Sequence, residues 1–367
     1  MKRFVLLVAA TLGLASACEV PVFRFALERW PADPLPVEVT ADASVGPEGV
    51  TALKWLQNQM PGEVPANLSV RLIDPDGPSD IRGSFRLLPA GTRPNAADPH
   101  VLWEGSLSEV HAKRLSGSPA RESIARQLLE GTSAVWVVVS RGDTVADARA
   151  VKLVTAGINR AMQQLTLPTG VIHCDEAAQR LSENPQATMD DVLRTKIPLR
   201  IAFTVLLVRA NDPEEDLFRE VVANLAPPDS APGEPLVAPI FGRGRILSPA
   251  PLSKIDEDRV FEGCSYLSGA CACMVKQQNP GIDLPFRVDW DSQIKTQVVS
   301  IDSSINLPGP ETVTYGTPAK PTVPAAAVTT GSPATPRRLL LLAAVAVLLM
   351  GLGLLLARKK RKPAERG

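Results

Sequence analysis

The sequence has few histidines, few aromatic residues and none of the short motifs that mark common hydrolases. Only 3 of its 367 residues are His, and 4% are Phe, Trp or Tyr. It lacks the Gly-x-Ser-x-Gly elbow of serine hydrolases, the His-Glu-x-x-His helix of zinc proteases and the Gly-x-x-x-x-Gly-Lys loop that holds nucleotide phosphates. No motif of these three classes therefore points to an enzymatic activity. We therefore expect a protein that is not an enzyme, and we predict no cofactor.

Positive charge is scarce between residues 18 and 336. Of 39 Lys and Arg residues, two lie before residue 18 and eight lie after residue 336, whereas only Glu365 of 39 Asp and Glu residues lies outside this range. The 29 remaining basic residues face 38 acidic ones, which gives a net charge of about −9. Nucleic-acid binding depends on clustered Lys and Arg that release counterions. The acidic balance therefore predicts no nucleic-acid partner.

Two apolar segments predict export and membrane anchoring. Residues 1–17 combine a basic start, an apolar core and small residues before Cys18, which is the pattern of a signal peptide. The apolar run 339–357 is long enough to cross a bilayer, and we predict a transmembrane helix over 337–358. The basic tail 359–367 after it predicts a cytosolic C-terminus. We therefore expect a single-pass cell-membrane protein whose N-terminal region lies outside the cytosol.

The exported part is predicted to contain α/β structure followed by a spacer. Short apolar strands alternate with amphipathic helices over 18–168 and again over 169–303, which predicts two α/β domains. The continuous apolar run 134–140 predicts a strand covered on both faces. The Gly-Arg-Gly-Arg sequence at 242–245 predicts a hairpin turn with exposed arginines. Residues 304–336 are rich in Pro, Thr and Ala and predict an extended linker.

The order of these elements resembles part of a known fold. Strand, helix, strand, turn, strand and helix follow one another in 197–270, as in the second half of a thioredoxin-like domain, and 36–165 has a comparable plan. The resemblance implies one or two thioredoxin-like sheets with flanking helices. No Cys-x-x-Cys begins any of the helices, which weighs against a redox role.

Cysteines are the strongest chemical signal in the sequence. The five are Cys18, Cys174, Cys264, Cys271 and Cys273, all on the side of the membrane where disulfides persist. One interpretation is two structural disulfides, for instance between one of the last three and either Cys174 or Cys18. Cys18 is also a candidate for lipidation as a new N-terminus, with ordinary signal cleavage or a retained signal as alternatives.

Cys271 and Cys273 have two further interpretations. They could form a redox-active pair in which Lys276 lowers the pKa of a thiolate. They could instead join Met274 and His173, with Cys174, as soft ligands for copper. The spacing of these residues matches no zinc motif, so we predict no resident metal.

Two segments resemble those of a group of exported bacterial proteins, including some from planctomycetes. These segments are Cys-Glu-Val-Pro-Val-Phe-Arg-Phe-Ala-Leu-Glu-Arg-Trp at 18–30 and Gly-Ala-Cys-Ala-Cys-Met-Val-Lys-Gln-Gln-Asn-Pro-Gly at 269–281. The resemblance implies a bacterial cell-envelope protein and transfers no activity. We therefore favour a non-catalytic exported protein that binds or scaffolds something, with the membrane and other envelope proteins as partners. The alternative is a membrane-tethered thiol-disulfide oxidoreductase or copper-handling protein that uses Cys271 and Cys273.

Overall fold

The computed structural model describes residues 18–295, apart from 42–44, 74–82, 94–97, 229, 232 and 272–273. The predicted signal peptide, linker, transmembrane helix and tail lie outside the described residues, as does Cys273. Within the described ranges, no helix is both long and apolar enough to cross a membrane. All the described residues belong to one compact unit.

The fold is mixed α/β, as predicted. The strands are β1 (Cys18–Pro21), β2 (Leu35–Thr40), β3 (Leu68–Ile73), β4 (Ser84–Leu87), β5 (Trp103–Ser106), β6 (Ala134–Val139), β7 (Phe203–Val208), β8 (Leu236–Phe241), β9 (Arg245–Ile246), β10 (Ala250–Pro251), β11 (Ala270–Cys271) and β12 (Ile282–Asp283). The α-helices are α1 (Val22–Arg29), α2 (Pro47–Leu56), α3 (Glu109–Ser116), α4 (Pro119–Leu129), α5 (Thr144–Gln164), α6 (Ala177–Glu183), α7 (Asp216–Leu225), α8 (Glu257–Ser268) and α9 (Trp290–Lys295).

The larger sheet is built around β6. Its strand order is β12-β9-β8-β6-β7, with β10 beside β8. β7 is parallel to β6, whereas β8 on the other side is antiparallel. Because β6 and β7 lie on opposite sides of position 168 in the chain, the boundary predicted between 168 and 169 lies inside one compact unit.

Both faces of β6 are covered by apolar side chains. Trp136 and its alternate neighbours belong to a cluster with α1, α5 and α8, whereas Val137 and its neighbours belong to a second cluster with α4, α7 and the smaller sheet. All six residues of the strand are buried. The prediction of a strand covered on both faces is confirmed, and the reason is that helices lie on each side of the sheet.

The hairpin between β8 and β9 turns where the glycines predicted it. Gly242 and Gly244 have φ values of 60° and 90°, a region that side chains disfavour. The prediction that the hairpin arginines are exposed is wrong. Arg243 donates to the Leu27 carbonyl at 2.9 Å, and Arg245 pairs with Asp283 at 3.1 Å. Both guanidiniums are buried because α1 and the segment around residue 280 cover the turn.

The smaller sheet has the order β3-β2-β4-β5. β2 is parallel to β3, with α2 between them in the chain, and antiparallel to β4. The smaller sheet therefore starts with a strand, a helix and a parallel strand. Each sheet thus places a parallel strand on one side of its first long strand and an antiparallel strand on the other.

The first described segment lies in the core. α1 buries seven of its eight residues, including an Arg24–Glu28 ion pair at 2.8 Å. Arg24 also donates to the Ile197 carbonyl at 2.6 Å, and Glu28 accepts from the Thr195 hydroxyl at 2.9 Å. Burial lowers the pKa of Arg24, and the carboxylate of Glu28 opposes that shift. This charged network fixes α1 against the chain before β7.

Candidate functional site

A cavity opens at the carboxyl ends of β6 and β7. Because the two strands are parallel, their ends lie at one edge of the sheet, which is where α/β proteins commonly bind ligands. The cavity has a volume of about 500 Å³, within the usual range for small-molecule sites. Its lining residues are Ser140, Gly142, Thr144, Asp147, Ala148, Leu207, Arg209, Ala210 and Asn211.

The start of α5 forms one wall of the cavity. Asp143 caps this helix, since its carboxylate accepts from the backbone N–H groups of Val145 and Ala146 at 2.9 and 3.0 Å. The cap fixes the helix start beside the end of β6. Thr144 and Asp147 in the first turns consequently face the cavity from the positive end of the helix dipole.

Asp147 is the central polar group of the cavity. Its side chain is only 5% exposed, and its Oδ2 accepts from the Ser140 hydroxyl at 2.6 Å. Ser140 in turn accepts from the backbone N–H of Gly142 at 3.2 Å. The second carboxylate oxygen of Asp147, Oδ1, is buried and has no hydrogen-bond partner. A buried acceptor without a donor costs about 1–3 kcal/mol, so a ligand that donates to Oδ1 would recover that free energy.

The other lining residues add charge and apolar surface. Arg209 is exposed at the end of β7 and adds a cation to the lining of the cavity. Asn211 adds an amide, and Leu207 and Ala148 provide apolar walls. Among the described residues that line the cavity, none is His, Cys or Lys, so no general base lies beside the Ser140 hydroxyl except the carboxylate it already binds.

The cavity contains none of the residues singled out in the sequence. The sequence signal for this cavity was one of position only, because Ser140 directly follows the apolar strand β6 and Arg209 directly follows the apolar strand β7. Their convergence depends on β6 and β7 being neighbours, which only the sheet order reveals.

The cysteines lie elsewhere, in two places. Cys18 in β1 stands directly opposite Cys271 in β11, and both belong to the apolar cluster that also contains Cys264. Cys174 lies in a separate small cluster with Ile172 and α6. Cys273 lies outside the described residues.

The environment of two described thiols, those of Cys18 and Cys264, favours their protonated form. Burial raises the pKa of Cys264 to about 12 and also raises the pKa of Cys18. The ammonium group of Lys276, the predicted activator of a thiolate, is paired with the carboxylates of Asp283 and Asp33. Since the thiolate is the reactive species, these surroundings weigh against rapid thiol exchange in the folded protein.

The proposed copper ligands do not converge among the described residues. No group of three or more His, Cys, Asp or Glu side chains in the described ranges could hold a metal ion. His173 points to solvent while the adjacent Cys174 is buried, and Met274 is exposed. A copper site that also includes Cys273 stays a prediction.

Cys18 is enclosed by protein. Its side chain is 4% exposed, and its Sγ donates to the Asp190 carbonyl at 2.9 Å. A diacylglyceryl group on this sulfur would occupy the space filled by its neighbours, so lipidation requires β1 to leave the core.

Comparisons with protein-family models, with curated proteins and with solved structures found no match. The choice of the cavity as the candidate site consequently rests on its geometry alone.

Proposed function

We propose that this protein is a non-catalytic binding protein of the bacterial cell envelope, and that the cavity beside Asp147 is its ligand site. The observation that carries the proposal is the buried Oδ1 of Asp147, which has no donor although it belongs to a cavity-lining residue. A buried acceptor without a donor lowers the stability of the fold, so its presence indicates a role other than stabilising the fold.

The charges of the cavity favour a ligand with a donor at one end and an anion at the other. A primary ammonium group fits Asp147, since it is small and donates charge-assisted hydrogen bonds. A carboxylate fits Arg209, whose guanidinium binds carboxylates in a two-point geometry. The apolar walls contributed by Leu207 and Ala148 suit the short apolar part between these groups. The ligand class is therefore a small zwitterion such as a short peptide.

The strand order supports a thioredoxin-like arrangement in this proposal. In the larger sheet β7, β6, β8 and β9 are neighbours, and in the smaller sheet β3, β2, β4 and β5 follow the same pattern of parallel and antiparallel pairs. Thioredoxin-like oxidoreductases carry their cysteines at the start of a helix, whereas α5 begins with Thr144 and contains no cysteine. A binding role at this position is consistent with that difference.

Export and anchoring are further parts of the proposal. They are supported by the signal-like residues 1–17, by the apolar run 339–357 with basic residues after it, and by the acidic character of the chain between them. Fractionation of producing cells should place the full-length chain in the membrane, with residues 18–336 open to added protease in intact spheroplasts. An intact chain in the cytosolic fraction would contradict this part of the proposal.

Calorimetry with matched dipeptides tests the ligand site. The full-length protein in detergent should bind alanyl-alanine, and it should bind N-acetyl-alanyl-alanine and alanyl-alanine amide at least about tenfold more weakly, which corresponds to about 1.4 kcal/mol. The acetyl group removes the ammonium, and the amide removes the carboxylate. Asp147→Asn should abolish the preference for the free amine, and Arg209→Gln should abolish the preference for the free carboxylate.

The matched control is Asp258→Asn. Asp258 is an exposed carboxylate on α8 that pairs with Arg160 and does not line the cavity. This variant should bind all three dipeptides as the wild type does. Absence of binding by every probe, or equal affinities in the wild type and Asp147→Asn, would rule out the cavity as a site for such ligands.

A further inference from the structure

The first described strand, β1, forms a two-stranded sheet with β11, a strand late in the described chain. β1 and β11 are antiparallel, and Cys18 stands opposite Cys271 in the register. Opposite residues in an antiparallel pair have side chains on the same face and Cα atoms about 4.5–5.5 Å apart. A disulfide requires Cα atoms about 4.4–6.8 Å apart. The register of Cys18 with Cys271 is therefore compatible with a bridge, and the irregularity of this strand pair lies after Cys18, between Cys18 and Pro21.

We propose that Cys18 and Cys271 form a disulfide in the exported protein. Each Sγ loses its proton, one S–S bond forms, and two electrons pass to an oxidised dithiol carrier of the envelope, whose own disulfide is reduced to two thiols. This bridge is independent of the ligand cavity. It joins the first strand of the described chain to a strand about 250 residues later.

The surroundings of the two sulfurs favour this pairing over others. Cys18 is 4% exposed and Cys271 is 0% exposed, and both belong to one apolar cluster, so the bridge would be shielded from small reductants. Cys264 shares the cluster but lies on α8, out of register with β1. Cys174 belongs to a different cluster.

The bridge has a chemical consequence for the predicted lipidation. A sulfur in a disulfide cannot also carry a thioether-linked diacylglyceryl group. The proposal therefore assigns Cys18 to the fold and leaves membrane attachment to the run 339–357.

The bridge should form while the chain folds. Once β1 is in place, oxidants cannot reach the enclosed Cys18 sulfur, and burial raises the pKa of its thiol, which lowers the thiolate fraction that attacks a disulfide. Reduced, folded protein should therefore reoxidise slowly with oxidised glutathione, whereas protein reduced in urea and then refolded with the same oxidant should reoxidise readily.

Peptide mapping of the full-length protein tests the proposal. Protein is extracted from membranes, alkylated in denaturant without reductant, digested and analysed by mass spectrometry. We expect a disulfide-linked pair of peptides that contain Cys18 and Cys271, and its loss when reductant precedes alkylation. Because the wild-type protein is mapped directly, the result does not depend on the folding of any variant.

Two variants sharpen the test. Cys18→Ser should make Cys271 fully alkylatable without reductant, whereas Cys264→Ser, which changes a buried cysteine of the same cluster, should leave the linked peptides intact. The proposal is overturned by an alkylated Cys18 in the oxidised wild type, by acyl groups on Cys18, or by a bridge from Cys271 to Cys273.

Discussion

Removing the Ser140 hydroxyl should destabilise the protein more than removing the Asp147 carboxylate to which it donates. Ser140→Ala leaves a buried carboxylate with a donor on neither oxygen, because Oδ1 already has none. Asp147→Ala removes the carboxylate altogether and leaves only a neutral hydroxyl, which still accepts from Gly142. Asp147→Ala removes more side-chain volume than Ser140→Ala, yet it is expected to destabilise the protein less.

The magnitudes follow from the type of bond that is lost. A hydrogen bond to a charged group contributes about 1.5–3 kcal/mol, so Ser140→Ala should lower the free energy of unfolding by about 2–3 kcal/mol. Asp147→Ala should cost about 1 kcal/mol or less, because an unpaired hydroxyl is a smaller penalty and Ala favours the helix by about 0.5 kcal/mol. The double variant should resemble Asp147→Ala, which gives a coupling energy of about 2 kcal/mol.

Urea unfolding followed by tryptophan fluorescence measures these differences, since all five tryptophans are buried and report on the core. The three variants and the wild type are compared at pH 7 by their midpoints and slopes. If Asp147→Ala were the more destabilising single change, or if the effects of the two substitutions on the free energy of unfolding were additive, the Asp147 carboxylate would not lack hydrogen-bond donors. The energetic basis of the proposed ligand site would then be lost.

Three further outcomes follow from packing and charge. Gly157→Ala should destabilise by about 1–2 kcal/mol despite the better helix propensity of Ala, because the new Cβ would lie 2.6 Å from the Val260 Cβ and 2.7 Å from its Cγ1. Adding Val260→Ala removes the contact with Cγ1 but keeps the Cβ, so it should recover only part of the lost stability. A higher unfolding midpoint for Gly157→Ala would contradict the close approach of α5 and α8. Because the folded-state pKa of Cys264 is raised from 9.0 to about 12, the contribution of the Cys264 thiol to stability is complete below pH 9 and is lost as the pH rises toward 12. Above pH 9, the free energy of unfolding of the wild type should therefore fall by about 1.4 kcal/mol per pH unit more than that of Cys264→Val. Parallel plots of unfolding free energy against pH for the two proteins would refute this assignment. Asp283→Asn removes the carboxylate that pairs with the buried side chains of Arg245 and Lys276, and it should lower the free energy of unfolding in urea by about 3 kcal/mol. Glu63→Gln, in a partly exposed ion pair, should lower it by less than about 1 kcal/mol. Equal effects of the two variants would contradict the difference in burial between the two ion pairs.

Local patterns in the sequence predicted much of the architecture. The apolar run at β6 and the glycines of the β8–β9 hairpin both depend on neighbouring residues, and the structure confirms both. The mixed α/β class followed from their alternation. These elements were predictable because their burial is set by short-range periodicity.

Long-range contacts explain what the sequence could not predict. α1 was not predicted as a core helix, because Arg24 and Glu28 interrupt its apolar pattern and are buried only through each other and through Thr195. The arginines of the hairpin looked exposed for the same reason, since the acceptors that bury them lie far away in the chain. The cavity likewise required the pairing of β6 with β7, which no local pattern encodes.

Under the export that we propose, the pairing of β1 with β11 sets an order of events, because the chain crosses the membrane N-terminus first. β1 emerges earliest and has to wait for a partner some 250 residues later, and the apolar surface of α1 meanwhile waits for α5 and α8, which pack over it in the folded protein. Folding dominated by such distant contacts is slow, and transiently bare apolar segments aggregate. Secretion of this protein should therefore depend on an extracytoplasmic holding chaperone, and a translocation arrest before Cys271 should yield a protease-sensitive, insoluble product.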